Sequence, residues 1–236
     1  ASIDDSKCTA CGACVYQCPF GAIQDKSFLL NAIKIIRESD HNRNYKVYAI
    51  VAPALSSQFT YAKLGQVVSG LRELGFHTVL EAALGADMVA QTEARELAER
   101  GFLTSSCCPA FVAYIKSAFP QLLPLVSHTP SPMTALAQAV KETDETAKVV
   151  FIGPCTAKKA EILREKSHTK GKRDIDFSLT STELLEWMAL EGLDAAKCPE
   201  SEADEPFRMG SGGGTLFGIS GGVAEAVLRF LSPEKA

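Results

Sequence analysis

Four cysteines bunched between residues 8 and 18, as Cys8-x2-Cys11-x2-Cys14-x3-Cys18-Pro19, constrain this chain more than any other feature. Two-residue spacings let one tight loop turn several thiols toward a common point, and thiolates gathered in this way bind metal. The chain holds eight cysteines in 236 residues, too sparse for a disulfide-stapled secreted domain. Ala1 to Asp5 shows neither a basic n-region nor an apolar h-region, so no signal peptide is visible and the cytoplasm is the expected setting. In a reducing compartment, clustered cysteines bind metal or do redox chemistry. The other four are an adjacent pair, Cys107 and Cys108, and two single residues, Cys155 and Cys198.

The rest of the composition fits a packed protein of one to two domains. Hydrophobic residues make up 46% and charged residues 22%, enough apolar content to build a core. With 24 basic and 28 acidic side chains the net charge is −4, which leaves no footprint for nucleic acid or anionic lipid. No apolar run reaches the roughly 20 residues of a membrane helix.

Residues 1–24 read as a Cys-rich loop and 25–37 as a helix. The polar break Ser39 to Asn44 places a boundary there, giving a segment 1–42 and a domain 43–236. Lys46 to Ala52, His77 to Ala83 and Lys148 to Ile152 read as buried strands. Ser56 and Ser57 are candidate caps for a helix carrying Leu64, Val67, Val68, Leu71 and Leu74 on one face. Helices are expected from Asp87 to Arg100, from Ala110 to Phe119 and from Ser131-Pro132 through Glu142. Another should end at Gly192 behind a Thr180/Glu183 capping box. Gly210 to Gly222 should lead into a last helix, 223–231. Strands alternating with helices, and apolar throughout, predict an α/β fold with covered sheets.

The first motif is the bacterial ferredoxin run, with the tail CPFGAI from Cys18 to Ile23; a zinc knuckle is the plainer alternative. In two-cluster ferredoxins the fourth cysteine of such a run serves the other cluster. A second run is not seen, so an upstream continuation is expected. The second motif is TSSCCPAF, Thr104 to Phe111, whose thiols are equally readable as a buried or disulfide-bonded vicinal pair. The third is GPCTAKK, Gly153 to Lys159. It puts Cys155 just past a strand, where ligands of α/β sheets bind, although a lone Cys is more often structural. Lys158 and Lys159 read by default as solvated surface charges, and Cys198 as an exposed thiol. Gly218-Ile219-Ser220-Gly221-Gly222 matches the hydrolase nucleophile elbow. His41, His77, His128 and His168 all precede it, so it reads instead as a tight glycine turn.

In combination and order these motifs resemble the [FeFe]-hydrogenase family. TSSCCPAF is similar to its TSCCP motif, GPCTAKK with Glu161 to PCxxKxxE, and FGISGGVAEAVLR (Phe217 to Arg229) to FGxTGGVMEAALR. VAPA (Val51 to Ala54) and GAD (Gly85 to Asp87) also match. The resemblance implies a two-lobed α/β catalytic domain behind a partial ferredoxin-like [4Fe–4S] segment. Its cleft would hold the H-cluster, a [4Fe–4S] cubane joined to a two-iron unit with CO, cyanide and azadithiolate. It implies reversible proton reduction and H2 oxidation, with an electron carrier such as a ferredoxin and maturation proteins as partners. Carried over by motif, Cys8, Cys11 and Cys14 would hold one [4Fe–4S] cluster and Cys18 would serve a second, while Cys108 and Cys155 would be ligands of the cubane. Cys107 would pass protons, helped by Glu93, Glu96 and Ser127, and the plain reading of both glutamates is solvated helix surface. Lys158 would bond a cyanide. Pro53, Ala54, Pro132, Met133, Gly153 and Pro154 would line the site, with Ala54 where many relatives have Ser, and Met133 and Gly153 in place of Gln and Met. The family's third motif, MACxxGC, is not seen. The chain is therefore expected to be either an incomplete hydrogenase or a non-catalytic Fe–S electron-transfer or sensing protein on that scaffold.

Overall fold

The computed structural model describes residues 3–4, 7–163, 168–169, 171–204 and 212–231. Three apolar, β-branched runs become the strands β1 (Val47–Val51), β2 (Thr78–Glu81) and β3 (Lys148–Gly153). A two-stranded ribbon, β4 (His168–Thr169) and β5 (Lys172–Arg173), precedes a fourth sheet strand, β6 (Phe177–Thr180). The sheet is wholly parallel in the order β2-β1-β3-β6, with Val51 opposite both Glu81 and Ile152. Parallel pairing needs crossovers, and the crossover helices bury both sheet faces, which is why these strands carry unbroken apolar runs.

The helices are α1 (Ala13–Gln17), α2 (Leu29–Glu38), α3 (Leu64–Glu73), α4 (Ala82–Arg100), α5 (Pro109–Ala118), α6 (Pro132–Thr143), α7 (Ala157–Glu161), α8 (Ser181–Leu190) and α9 (Gly222–Leu231). Strands β1 and β3 share one core with Ala32 and Ile35 of α2, Leu71 of α3, Leu136 of α6 and Trp187 of α8. A smaller helical core joins Ala90 and Ala94 of α4 to Ala226 and Val227 of α9. The α/β class is therefore as expected. That smaller core is built from helices, and outside the named strands one isolated β-bridge joins Thr104 to Val126 among the described residues.

Several local expectations change. Helix α4 begins at Ala82, so Gly85-Ala86-Asp87 lies inside it. Gly85 is required by proximity: a Cβ there would sit 2.1 Å from the Pro132 carbonyl oxygen of α6. Ser56 and Ser57 belong to a 3₁₀ turn, Pro53–Ser57, and bond the Pro53 and Ala54 carbonyls. Helix α3 instead starts after Lys63, whose N–H donates to Gln66 Oε1 at 2.9 Å. Strand β6 escapes the sequence reading because FSLT is short and half polar. The break at 39–44 is a left-handed turn through Asp40, His41 and Asn42. Asn42 locks it, accepting the Val47 N–H at 2.9 Å and donating to the Gly75 carbonyl at 3.0 Å. Helix α2, placed by the sequence before a boundary at 42/43, packs into the core of the sheet.

The Gly85 contact gives a direct expectation. Gly85→Ala forces α4 away from α6 and should lower stability by about 1–3 kcal/mol in urea denaturation; unchanged stability would show that the helices do not meet as described.

Candidate active site

The chain leaves β1 for β2 on one side and returns to β3 on the other, so the topological switch point lies between the carboxyl ends of β1 and β3. Ligands of open α/β sheets bind in the crevice that this reversal opens. Here the crevice is a cavity of about 200 Å³. One wall is Ala52, Pro53 and Ala54 after β1; the other is Pro154, Cys155 and Lys158 after β3. Pro132 and Met133 enter from the start of α6, and Cys107 from the loop before α5. The structure thus brings eight of the site residues named from sequence to one cavity, and leaves Glu93, Glu96, Ser127, Gly153, Cys108 and the four N-terminal cysteines outside its lining.

It adds Ala52, Ala82, Ala86, Phe151, Phe217 and Gly218. Ala86 and Phe217-Gly218 lie in the GAD and FGISGG segments and were within reach of the motif reading. Phe151 carried no signal. Gly153 stands near this wall but does not line the cavity; a Cβ there would meet Ala52 Cβ at 2.8 Å and the Phe151 ring at 3.1 Å.

Lys158 is not a solvated charge. Its Nζ donates to the Cys107 carbonyl at 3.1 Å and pairs with Glu161 Oε2 at 2.7 Å, with 12% of its side chain exposed. Helical spacing puts Glu161 one turn on, where it anchors the lysine. Lys159 is buried too, paired with Asp25 and Glu183. Cys198 is likewise buried, its thiol donating to the Asp194 carbonyl at 3.6 Å.

Behind Cys107 runs a file of exchangeable groups. The Cys107 N–H donates to Ser105 Oγ at 3.3 Å, and the Ser105 hydroxyl donates to Glu93 Oε1 at 2.9 Å. The Ser127 hydroxyl donates to Glu96 Oε2 at 2.6 Å, and Arg100 bonds the other Glu96 oxygen. Burial pushes the Glu93 carboxyl up, against opposing bonds from Ser105, Ser106 and Ser127. For Glu96 burial also acts upward, but the Ser127 and Arg100 bonds outweigh it and hold the group low. Burial raises the Cys107 thiol, opposed by Ser105 and Lys158. The reading of Glu93 as solvated helix surface is overturned, since it is 1% exposed.

The thiols differ in setting. Cys155 is half-buried at the cavity. Cys108 is exposed and caps α5, its sulfur accepting the Phe111 N–H at 3.5 Å. In the N-terminal loop Cys8 Sγ accepts the Ala10 N–H at 3.3 Å. The Ala13 N–H and then the Thr9 hydroxyl lower the Cys11 thiol, and the Phe20 N–H leads in lowering Cys18. Sulfurs held by backbone N–H groups suit an iron–sulfur ligand set. Among the described residues no three Cys, His, Asp or Glu side chains converge closely enough to hold a single metal ion.

The family model described as the iron only hydrogenase large subunit, C-terminal domain, matches residues 45–236. The chain belongs to that family. A 4Fe–4S binding domain matches residues 1–24. The periplasmic [Fe] hydrogenase large subunit of Nitratidesulfovibrio vulgaris is 32% identical over 97% of this chain and 66% of its own length. The NADP-reducing hydrogenase subunit of Solidesulfovibrio fructosivorans is 29% identical over 97% of the chain and 43% of its own length. A cytosolic Fe–S cluster assembly factor of Botryotinia fuckeliana is 29% identical over 64% of the chain. Among solved structures, an apo [FeFe]-hydrogenase from Chlamydomonas reinhardtii matches with a TM-score of 0.75 and 30% identity, over 87% of this chain and 58% of that one. The chain thus spans between 43% and 66% of the length of these hydrogenase relatives.

The two glutamates should respond oppositely to pH. Glu93 has a raised folded pKa, so its stabilising contribution is present in acid and lost as pH rises through that pKa. Glu96 is depressed, so its contribution is present above the unfolded pKa and lost as pH falls. In urea denaturation from about pH 4 to about pH 8, Glu93→Gln should gain on the wild type as pH rises. Glu96→Gln should fall behind it. Parallel trends would contradict the two environments.

Proposed function

We propose that the protein is an [FeFe]-hydrogenase-type oxidoreductase that interconverts protons and H2 at the switch-point cavity, with electrons delivered through the N-terminal cysteine segment. The observation that carries this is the meeting, in one apolar crevice, of Cys107, Cys155 and Lys158, with a buried file of carboxyls and hydroxyls behind Cys107. When bound, an H-cluster supplies the iron site at which protons and electrons combine.

The residues present fit part of such a group, two of the cubane's four thiolates and the walls around a two-iron unit. Cys108 and Cys155 would supply two of the four thiolates of a cubane. Lys158, anchored on Glu161 and the Cys107 carbonyl, would give a charge-assisted bond to a cyanide. The apolar walls, Pro53, Ala54, Pro132, Met133 and Pro154, exclude water and strengthen the electrostatics inside. Cys107 would hold a proton at Sγ. Ser105 and Glu93 would refill it, and Ser127 and Glu96 would carry protons inward from the Arg100 side. A carboxyl whose pKa is raised toward neutrality suits that exchange. Cys8, Cys11 and Cys14 would hold one [4Fe–4S] group, with Cys18 a ligand to a second. A ferredoxin-like carrier, maturation proteins and a cytoplasmic, anaerobic setting complete the reading. Among the described residues no helix is long and apolar enough to cross a membrane.

The similarity to Fe–S cluster assembly factors favours a second reading, a non-catalytic electron-transfer or sensing protein on the same scaffold. An H2-evolution assay with a chemical reductant, after anaerobic maturation, separates the two. Turnover that falls at least about a hundredfold in Cys107→Ala and in Glu93→Gln supports catalysis through the file, since losing a positioned proton donor costs roughly 10²–10⁴ in rate. No turnover in the matured wild type would leave the second reading.

A further inference from the structure

The short segment from Cys155 to Lys159 has two faces. Cys155 and Lys158 line the cavity. Thr156 and Lys159, with the same three-residue spacing, face the N-terminal cysteine segment instead. The Thr156 hydroxyl donates to the Ala10 carbonyl at 3.1 Å. Gly12 lies directly on the same side chain: a Cβ there would stand 2.7 Å from Thr156 Oγ1, and its φ of +80° already favours glycine. Ala10, with φ +58°, is also left-handed, so both residues flanking Cys11 take an unusual backbone where they meet Thr156.

Lys159 holds the other end of the segment. Its Nζ bonds Asp25 Oδ2 at 2.5 Å and the Lys26 carbonyl at 3.0 Å. It also pairs with Glu183 Oε2 at 2.7 Å, and Glu183 Oε1 accepts the Ser27 hydroxyl at 2.5 Å and the Phe28 N–H at 3.2 Å.

We propose that residues 155–159 are a clamp that seats the cysteine loop 8–18 on the cavity wall, with Thr156 and Lys159 as its positioning residues. The loop and the cavity are then registered through one rigid turn: Thr156 sets where Cys11 lies relative to Cys155, and Lys159 fixes the exit of the loop. For electron delivery the proposal rests on the reading above; the docking itself stands on the contacts. Both lysines are buried, so neither face of the turn moves without breaking an ion pair, and such a break is costly.

The test is amide hydrogen exchange of the full chain, as purified and after anaerobic loading with iron and sulfide, in wild type, Thr156→Val, Thr156→Ser and Gly12→Ala. The reporters are the Ala10 and Tyr16 amides, hydrogen-bonded to Cys8 Sγ and the Gly12 carbonyl. Thr156→Val and Gly12→Ala should speed their exchange about fivefold, the worth of one hydrogen bond. Thr156→Ser should keep the wild-type rate, and amides of β1 and β3 should not change in any variant. Equal exchange in wild type and Thr156→Val overturns the clamp, as does a wild-type loop that exchanges without protection. A wild type that takes up no iron yet shows the Thr156-dependent protection defeats the electron-carrier reading and leaves the clamp standing. Iron uptake without that protection does the reverse.

Discussion

The site depends on the parallel pairing of β1 with β3. These are the two central strands, and their register brings Val51 opposite Ile152. The backbone that follows each strand therefore emerges at one edge, from opposite sides of a reversal in strand order. From that pairing come the Pro53–Ala54 wall, the Pro154–Cys155 wall and the cavity between them. Helices α4 and α6 close the crevice only because Gly85 lets them approach to backbone contact. A parallel sheet buried on both faces is hard to deform, so the groups it carries are held in fixed relation.

Electrostatics inside the crevice follow from burial. Removing Glu93 and Cys107 from water disfavours their charged forms, so both hold protons more readily than in solution. Glu96, one turn further along α4, stays ionised because Ser127 and Arg100 donate to it. Two carboxyls on one helix face are thereby pushed apart in proton affinity, the condition for passing protons in steps. Lys158 is the counterweight at the cavity. Its Nζ pairs with Glu161 Oε2 at 2.7 Å, at the edge of an apolar space where such a charge acts at short range.

What the sequence made legible was what depends on local pattern. Long apolar runs marked β1 and β3, the Thr180/Glu183 pair marked the start of α8, and cysteine spacings marked the candidate ligands. Strand β6 was missed because FSLT is an edge strand whose pairing to β3 supplies what its composition lacks. Lys159 was misjudged because its burial depends on Asp25 and Glu183, partners distant in sequence that no local pattern reveals; for Lys158 the local partner Glu161 was legible in the motif, but the Cys107 carbonyl that helps bury it was not. Cys198 was misjudged for a similar reason, since its polar neighbours in sequence are turned away while the thiol packs by Gly70. Phe151 carried no motif at all; its place on the cavity wall comes from the alternation of β3.

The most direct test of the central claim, that this crevice is built to receive a two-iron CO/cyanide unit, is infrared spectroscopy. The protein would be loaded anaerobically with iron and sulfide, then with a synthetic diiron carbonyl–cyanide azadithiolate complex. The account predicts sharp CO and cyanide stretches distinct from those of the free complex, with the cyanide bands shifted in Lys158→Met. Bands identical to the free complex, or removed by desalting in the wild type, would contradict it.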